Sequence, residues 1–441
     1  MRHRSRLYER FVAAAADWLT AKRVKIYGIS LPLICIAVIL IDSFVKGSLW
    51  FPYKGDFILF YTGGKYFLTD RLNDLYDFAG QDKFQWETLR LQSAQFTPFN
   101  HPPFTTLFYA PFAMASFEWG LLFWSAAGLV ALWFAWRLLQ QELPALSMRS
   151  PFHLTLLSFC FYPTIAWILA NQNSAFTFLI YTITYVQLRR RRDLAAGATL
   201  GLLLYKPQLA LTLVFILSVK ARFKAVTGFL LTSGLLIAVG FLLSPRAMSE
   251  YMRVLPQIAE LPFLPGYPVE KMHNFYGFCV LLLSNLFSRR VVESVAVLLM
   301  VGGLLTLVTW WRTVPWQPAT RQWNLTLAST LALGLLISPH LMVYDLMVLL
   351  LPIAIVYAAY PTKPGEHLLD SGPLLVWTAL VYGFVFVSTY STSFMLQTTT
   401  ALGFPKLAVQ FSVLIIVGWA VVGHLVAASF RNEKGPWQAE V

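Results

Sequence analysis

The sequence predicts an all-α, polytopic membrane bundle of about twelve spans, and three observations lead there. Hydrophobic residues make up 57% of the 441 and charged residues 12%, against roughly a quarter charged in a soluble domain. Mean hydropathy is +0.60. Apolar stretches long enough to cross a hydrocarbon core of ~30 Å recur from one end of the chain to the other. No polar stretch is long enough for a separate soluble domain, so residues 1–441 read as one membrane domain. The net charge of +13 raises nucleic acid as a partner, but the cations gather at the ends of apolar segments, where they set membrane orientation instead.

Residues 1–25 form a basic leader (Arg2, Arg4, Arg6, Arg10, Lys22, Arg23, Lys25). The apolar run 26–45 follows it with no A-x-A-like site behind, and reads as a retained signal anchor with the N-terminus cytoplasmic. The run Arg189 to Arg192 and the trio Lys220, Arg222 and Lys224 are also expected inside. The chain between them must then cross an even number of times, although 194–219 would suit one helix. Pro207 sits mid-way, where proline interrupts a helix. Two short helices are therefore predicted, meeting at Lys206-Pro207-Gln208 near the outer side. Spans fall at 26–45, 119–138, 152–170, 174–188, 194–205, 208–219, 225–244, 291–311, 322–338, 342–360, 372–390 and 405–428, with both termini cytoplasmic. Stretches 102–117 and 275–287 are apolar but short, and read as interfacial or re-entrant.

Two extracytoplasmic loops are informative. In the first, 46–101, Phe57, Phe60, Tyr61 and Gly63-Gly64 follow Asp56 with helical spacing, which fits an amphipathic helix lying on the membrane surface. The second, 245–274, is rich in proline and ends in His273-Asn274. No internal repeat suggests a transporter of two related halves.

Under this topology five polar features fall on the outer side, and polar groups at membrane depth mark function by default. Asp56 reads either as a solvated or helix-capping carboxylate or as a general base. Lys206, in an otherwise apolar hairpin, either snorkels to the headgroups or serves as a cation for a phosphate. Asn171-Gln172-Asn173 is either a polar turn or a source of neutral hydrogen bonds. The fourth feature is His273-Asn274. In the fifth, Ser338-Pro339-His340 with Tyr344 and Asp345, Ser338 and Pro339 suit a helix start, and His340 and Tyr344, four apart, would share a helical face. Cys35, Cys160 and Cys279 lie in apolar surroundings with no CxxC or CxH spacing, and read as small core residues. No DxD, HExxH, P-loop or GxGxxG motif is present, so no metal or nucleotide site is expected.

The ordered set Gly55-Asp56-Phe57, Tyr61, Gly64, Leu75-Tyr76-Asp77, Pro102-Pro103-Phe104, Ala110-Pro111-Phe112, Asn171-Gln172-Asn173, Lys206-Pro207 and Ser338-Pro339-His340 with Tyr344-Asp345 resembles glycosyltransferase family 87. It departs at Asn171, where the family usually has glycine. The resemblance implies a GT-C-like fold and transfer of one sugar, mannose above all, from a polyprenyl-phosphate donor. The acceptor would be a hydroxyl of a glycolipid or glycan, and the reaction would invert the anomeric carbon. It further implies no cofactor, membrane lipid as the surrounding partner, and the outer face of a bacterial-type inner membrane in the cell envelope. Asp56 would be the catalytic base, with Lys206 and His340 on the donor phosphate. Tyr61, Asn171, Gln172, Asn173, Gln208, His273, Asn274, Tyr344 and Asp345 would contact substrate. Rival readings are a flippase or transporter of lipid-linked sugar and an oligosaccharide-lipid ligase.

Overall fold

The structure, a computed structural model, describes residues 55–89, 96–147, 149–260, 267–318, 320–359, 373–402 and 407–431, with Ser30, Ala37 and Phe263. The basic leader, nearly all of the expected span 26–45 and Cys35 lie outside the described residues. The helices are α1 (Phe57–Leu68), α2 (Phe78–Leu89), α3 (Thr105–Ala113), α4 (Phe117–Glu142), α5 (Pro151–Ser158), α6 (Tyr162–Ala170), α7 (Ser174–Arg189), α8 (Asp193–Gly201) and α9 (Pro207–Val219). They continue with α10 (Phe223–Leu243), α11 (Pro245–Glu260), α12 (Phe275–Leu283), α13 (Arg289–Thr313), α14 (Arg321–Ile337), α15 (Leu350–Ala359), α16 (Pro373–Ala401) and α17 (Phe411–Ser429). Among the described residues the one extended pairing is an isolated antiparallel bridge between Met272 and Met342.

Among the described residues five helices are long and apolar enough to cross a membrane: α4, α10, α13, the Trp377–Ala401 part of α16, and α17. Their outward faces are apolar, with Leu231, Leu235 and Leu242 exposed on α10 and Leu298 and Leu305 on α13. Apolar side chains in that position need hydrocarbon, not water, around them. The expected span 152–170 is instead the pair α5 and α6, bent by 81° and a sixth candidate only as a broken span. Pro163 in the first turn of α6 supplies no N–H to a helix continuing from α5 and disfavours helical backbone at the residue before it. The other expected spans fall on shorter segments. α9, for example, has 13 residues, or about 20 Å at 1.5 Å per residue. The 9-residue helices α3 and α12 occupy the two short apolar stretches and are far too short to cross alone.

At the centre stands α14, buried at every residue from Gln322 to Ile337 and packed against α9, α13, α15 and α17. The helix expected after Asp56 forms as α1, but it does not lie on a surface. Phe57 to Gly64 are all buried, because a helix apolar on every side needs cover on every side. α3 lies against it, and Phe57, Phe60, Phe108, Tyr109, Phe112 and Phe176 surround the Trp124 ring of α4 at 5.1–5.9 Å between centroids. α8 and α10 make the closest helix pair. A Cβ on Gly197 would meet the Ala225 carbonyl oxygen at 1.7 Å, and one on Gly228 the Leu194 oxygen at 2.1 Å. Glycines let the two backbones touch, as small residues do between membrane helices.

Candidate active site

Asp56 is positioned by the turn between α6 and α7. Its backbone N–H donates to the Ala170 carbonyl at 2.7 Å, and Gln172 Nε2 donates to its Oδ2. Gly55 allows this approach, since a Cβ there would stand 2.2 Å from Asn171 Nδ2. Asn171 closes α6 with φ of 52°, a left-handed conformation that glycine adopts freely and asparagine tolerates. The departure from glycine at this position is thus conformationally equivalent. Trp124 Nε1 donates to the Asn171 carbonyl at 2.9 Å, which ties the turn to the aromatic cluster under α1.

Lys206 stands at the predicted break. The chain runs from α8 through a tight helical turn, Leu202–Tyr205, and Lys206 leaves it at φ −137°, ψ 65° before Pro207 begins α9. The proline excludes helical backbone at the residue before it, so the amine is presented at a helix gap. Its Nζ pairs with Asp345 Oδ1 at 2.7 Å, with both side chains nearly enclosed, 9% and 4% exposed. Ser174 Oγ donates to the same oxygen at 3.1 Å, and the Tyr344 ring centroid lies 5.3 Å from Nζ.

His340 does not share a helical face with Tyr344. It lies in a bend after α14, and the next helical turn begins only at Val343. Ser338 closes α14 instead of opening a helix, and its Oγ donates to the His340 carbonyl at 2.9 Å. The Met272–Met342 bridge and a bond from the His273 N–H to the Leu341 carbonyl at 3.0 Å lay the end of the proline-rich loop against this bend. The Tyr267 hydroxyl thereby reaches His340 Nε2 at 2.6 Å.

These groups share one electrostatic environment. Burial raises the pKa of Asp56 above the ordinary carboxylate value, opposed by the Gln172 hydrogen bond and by Lys206 and Lys271, while Asp345 reinforces it. Burial lowers the pKa of His340, Asp345 opposing and Lys206 reinforcing, so at neutral pH the imidazole is uncharged. Burial raises that of Tyr267, which also feels Asp56 and Asp345. Segments as far apart in sequence as Asp56 and Asp345 are thus within electrostatic reach of one another.

The remaining expected contacts divide. Asn173, Tyr344 and Asp345 belong to this neighbourhood; Gln208, in the first turn of α9, is half-buried. The Tyr61 hydroxyl donates to the Ala115 carbonyl at 3.0 Å. His273 is engaged through both ring nitrogens, with Ser412 at 2.7 Å and Thr389 at 3.1 Å. Asn274 donates to the Ser338 carbonyl at 2.7 Å and accepts from the Gly277 N–H. These three side chains hold segments together and do not join the Asp56 cluster. Among the described residues no group of three or more His, Cys, Asp or Glu is placed to hold a metal.

With that arrangement in view, comparison with known families is decisive: the description of glycosyltransferase family 87 matches residues 99–339, more than half of the chain. The chain belongs to glycosyltransferase family 87. With its apolar helices, it is a multi-pass membrane glycosyltransferase. No curated protein and no solved structure matches it. The family match includes Lys206 and the turn at Gln172, and stops immediately before His340.

The candidate site also has neighbours that sequence reasoning did not single out. Tyr267 and Lys271 sit in a proline-rich loop, and only the pairing with residues 341–342 brings them to His340 and Asp56. Ser174 is the first residue of α7, with no signal beyond its polar neighbours. His101, at the end of the first loop, is packed against Phe60 with centroids 5.5 Å apart. Burial, with Lys206 adding to it, pushes its pKa down to about 3. A histidine beside two prolines was the available signal, and it reads equally well as a loop residue.

Proposed function

We propose that this membrane glycosyltransferase moves one sugar from a polyprenyl-phosphate donor to an acceptor hydroxyl on the extracytoplasmic face, with inversion. The convergence of Asp56, Lys206 and His340 supports this reading more than any other observation. A carboxylate held above its ordinary pKa is a stronger base than a solvated one. Gln172 engages one of its oxygens, and the acceptor hydroxyl would meet the other. Asp56 would take the hydroxyl proton as the acceptor oxygen bonds to the anomeric carbon. The bond from that carbon to the phosphate oxygen would break on the opposite side, its electron pair leaving with the polyprenyl phosphate.

Lys206 and His340 would meet the phosphate as its negative charge grows, the setting in which fixed donors contribute most. The buried imidazole would give an N–H hydrogen bond to the phosphate without itself changing charge. Asp345 and Ser174 would fix the lysine in place. Mannose is the sugar expected of such a donor, and a glycolipid or glycan the acceptor. The enzyme would work in a bacterial-type inner membrane, with no cofactor.

Replacing Asp56 with Asn keeps shape and removes the base. Transfer should fall by about 10²–10⁴-fold while binding of polyprenyl-phosphate-mannose persists. Undiminished transfer would rule out Asp56 as the base. A flippase or transporter of lipid-linked sugar would move the lipid without transfer and without needing this carboxylate. An oligosaccharide-lipid ligase would prefer a pyrophosphate-linked oligosaccharide to the monophosphate donor, and offering both separates the two.

A further inference from the structure

Asn173 is 1% exposed, yet neither its Oδ1 nor its Nδ2 makes a hydrogen bond. It is the N-cap residue of α7, but its side chain makes no capping bond. An asparagine there ordinarily stabilises a helix by capping, so this amide is withheld from the role its position offers. Leaving a buried amide unsatisfied is unfavourable, and such groups call for an explanation, a functional role or a bound water or ion among them.

A second unpartnered group lies close by. His101 Nε2 is closed to solvent and without a partner. Its backbone is fixed by the Tyr76 hydroxyl, which donates to the His101 carbonyl at 2.5 Å. Tyr109 joins the two: its ring centroid lies 6.2 Å from that of His101, and its hydroxyl comes close enough to interact with the Asn173 side chain but falls short of hydrogen-bond geometry with either amide atom. Tyr205, next in the chain to Lys206, stands 6.5 Å from the His101 ring. Asn173 itself follows Gln172, the residue bonded to Asp56. Asn173 thus adjoins the residue bonded to the carboxylate, and His101 contacts the ring that precedes the lysine.

We propose that Asn173 and His101 form a hydroxyl-binding subsite for the sugar ring carried by the donor. The inference rests on the donor-dependent transfer proposed above. A neutral amide with two N–H donors and one carbonyl, beside a neutral imidazole nitrogen, matches hydroxyls, which both donate and accept. It is a poor match for a phosphate, which offers acceptors only. The aromatic rings of Phe60, Tyr109 and Tyr205 supply apolar flanks for the ring carbons. The donor's sugar is favoured over the acceptor because it alone must sit between the base and the phosphate-binding lysine. The acceptor carries a bulky remainder that has to stay outside an enclosed position.

The test compares purified wild-type enzyme with Asn173→Leu, Asn173→Ser and His101→Phe. Each is given polyprenyl-phosphate-mannose, -glucose and -galactose, then the singly deoxygenated analogues of whichever the wild type uses best. The wild type should disfavour at least one deoxy analogue by about 10–100-fold in kcat/KM, the usual range for a lost buried hydrogen bond. Asn173→Leu and Asn173→Ser should lose a similar factor on the parent donor and no longer discriminate against that analogue. His101→Phe should do the same for a different or neighbouring hydroxyl. Equal losses on parent and analogues, with discrimination intact, would overturn the subsite while leaving the transferase reading standing. A wild type that neither binds nor transfers any polyprenyl-phosphate hexose would overturn both. Ligand-free Asn173→Leu should melt no lower than wild type, since no bond is lost; a markedly lower melting temperature would assign the amide a structural partner and end the proposal.

Discussion

The Lys206–Asp345 pair allows a quantitative prediction. Two unit charges 2.7 Å apart attract by about 6 kcal/mol at an effective dielectric of about 20. Taking each ion out of water costs several kcal/mol, so attraction and desolvation nearly cancel. The asymmetry appears when one partner is removed. Lys206→Met leaves Asp345 enclosed with only the Ser174 hydroxyl bonded to it, and Asp345→Leu leaves the ammonium over the Tyr344 ring. Each single substitution should destabilise by about 3–5 kcal/mol, and the double variant, apolar at both positions, by no more than about 1–2 kcal/mol. Unfolding free energies in mixed micelles, combined as a double-mutant cycle, measure the coupling. The stable double variant should still transfer no sugar, because the phosphate has lost its cation. Single variants within about 1 kcal/mol of wild type would refute the enclosed pair. So would a double variant losing the sum of the two.

Two further outcomes are expected. On the proposed mechanism transfer needs Asp56 ionised, and burial raises its pKa above the ordinary carboxylate value, so kcat/KM should fall with decreasing pH through a limb above that value. Gln172→Leu removes a bond that favours the ionised form and should move the limb to higher pH; a stationary limb would show that Asp56 is not the titrating group. In the α8–α10 contact, Gly197→Ala drives a methyl into the Ala225 carbonyl and should destabilise by about 1–3 kcal/mol or more. Gly234→Ala, on the same α10 with nothing within 4 Å, should be neutral or stabilising by up to about 1 kcal/mol, and thermal unfolding of both decides the matter.

Much of the backbone plan is legible from local chemistry. Pro207 marks the break at which Lys206 sits, and the polar triplet at Gln172 marks a turn. The bend between α5 and α6 was missed because hydropathy averages across Pro163, which a span read only for apolar content absorbs. The placement of α1 was missed because helical spacing cannot tell lipid from protein as the covering phase. At the site, Asp56 and Lys206 stand out as isolated charges beside apolar runs. Tyr267 and Lys271 do not, since their relevance depends on a two-residue bridge between segments about seventy positions apart. His273 and Asn274 looked equal to His340 as polar residues at a loop end. What separates them is the partner each meets, Ser412 and Thr389 for His273, the Ser338 carbonyl for Asn274 and Tyr267 for His340, and that is visible only in three dimensions.

The tie between Met272 and Met342 has a mechanical corollary. Tyr267 and Lys271 on one strand of the tie, and His340 on the other, travel as a single stapled piece. A lipid tail that pushed the outer segment aside on entry would drag the imidazole with it. On the proposed mechanism, admission of the donor and assembly of the groups proposed to meet its phosphate would then be one motion, and loosening the staple should uncouple them.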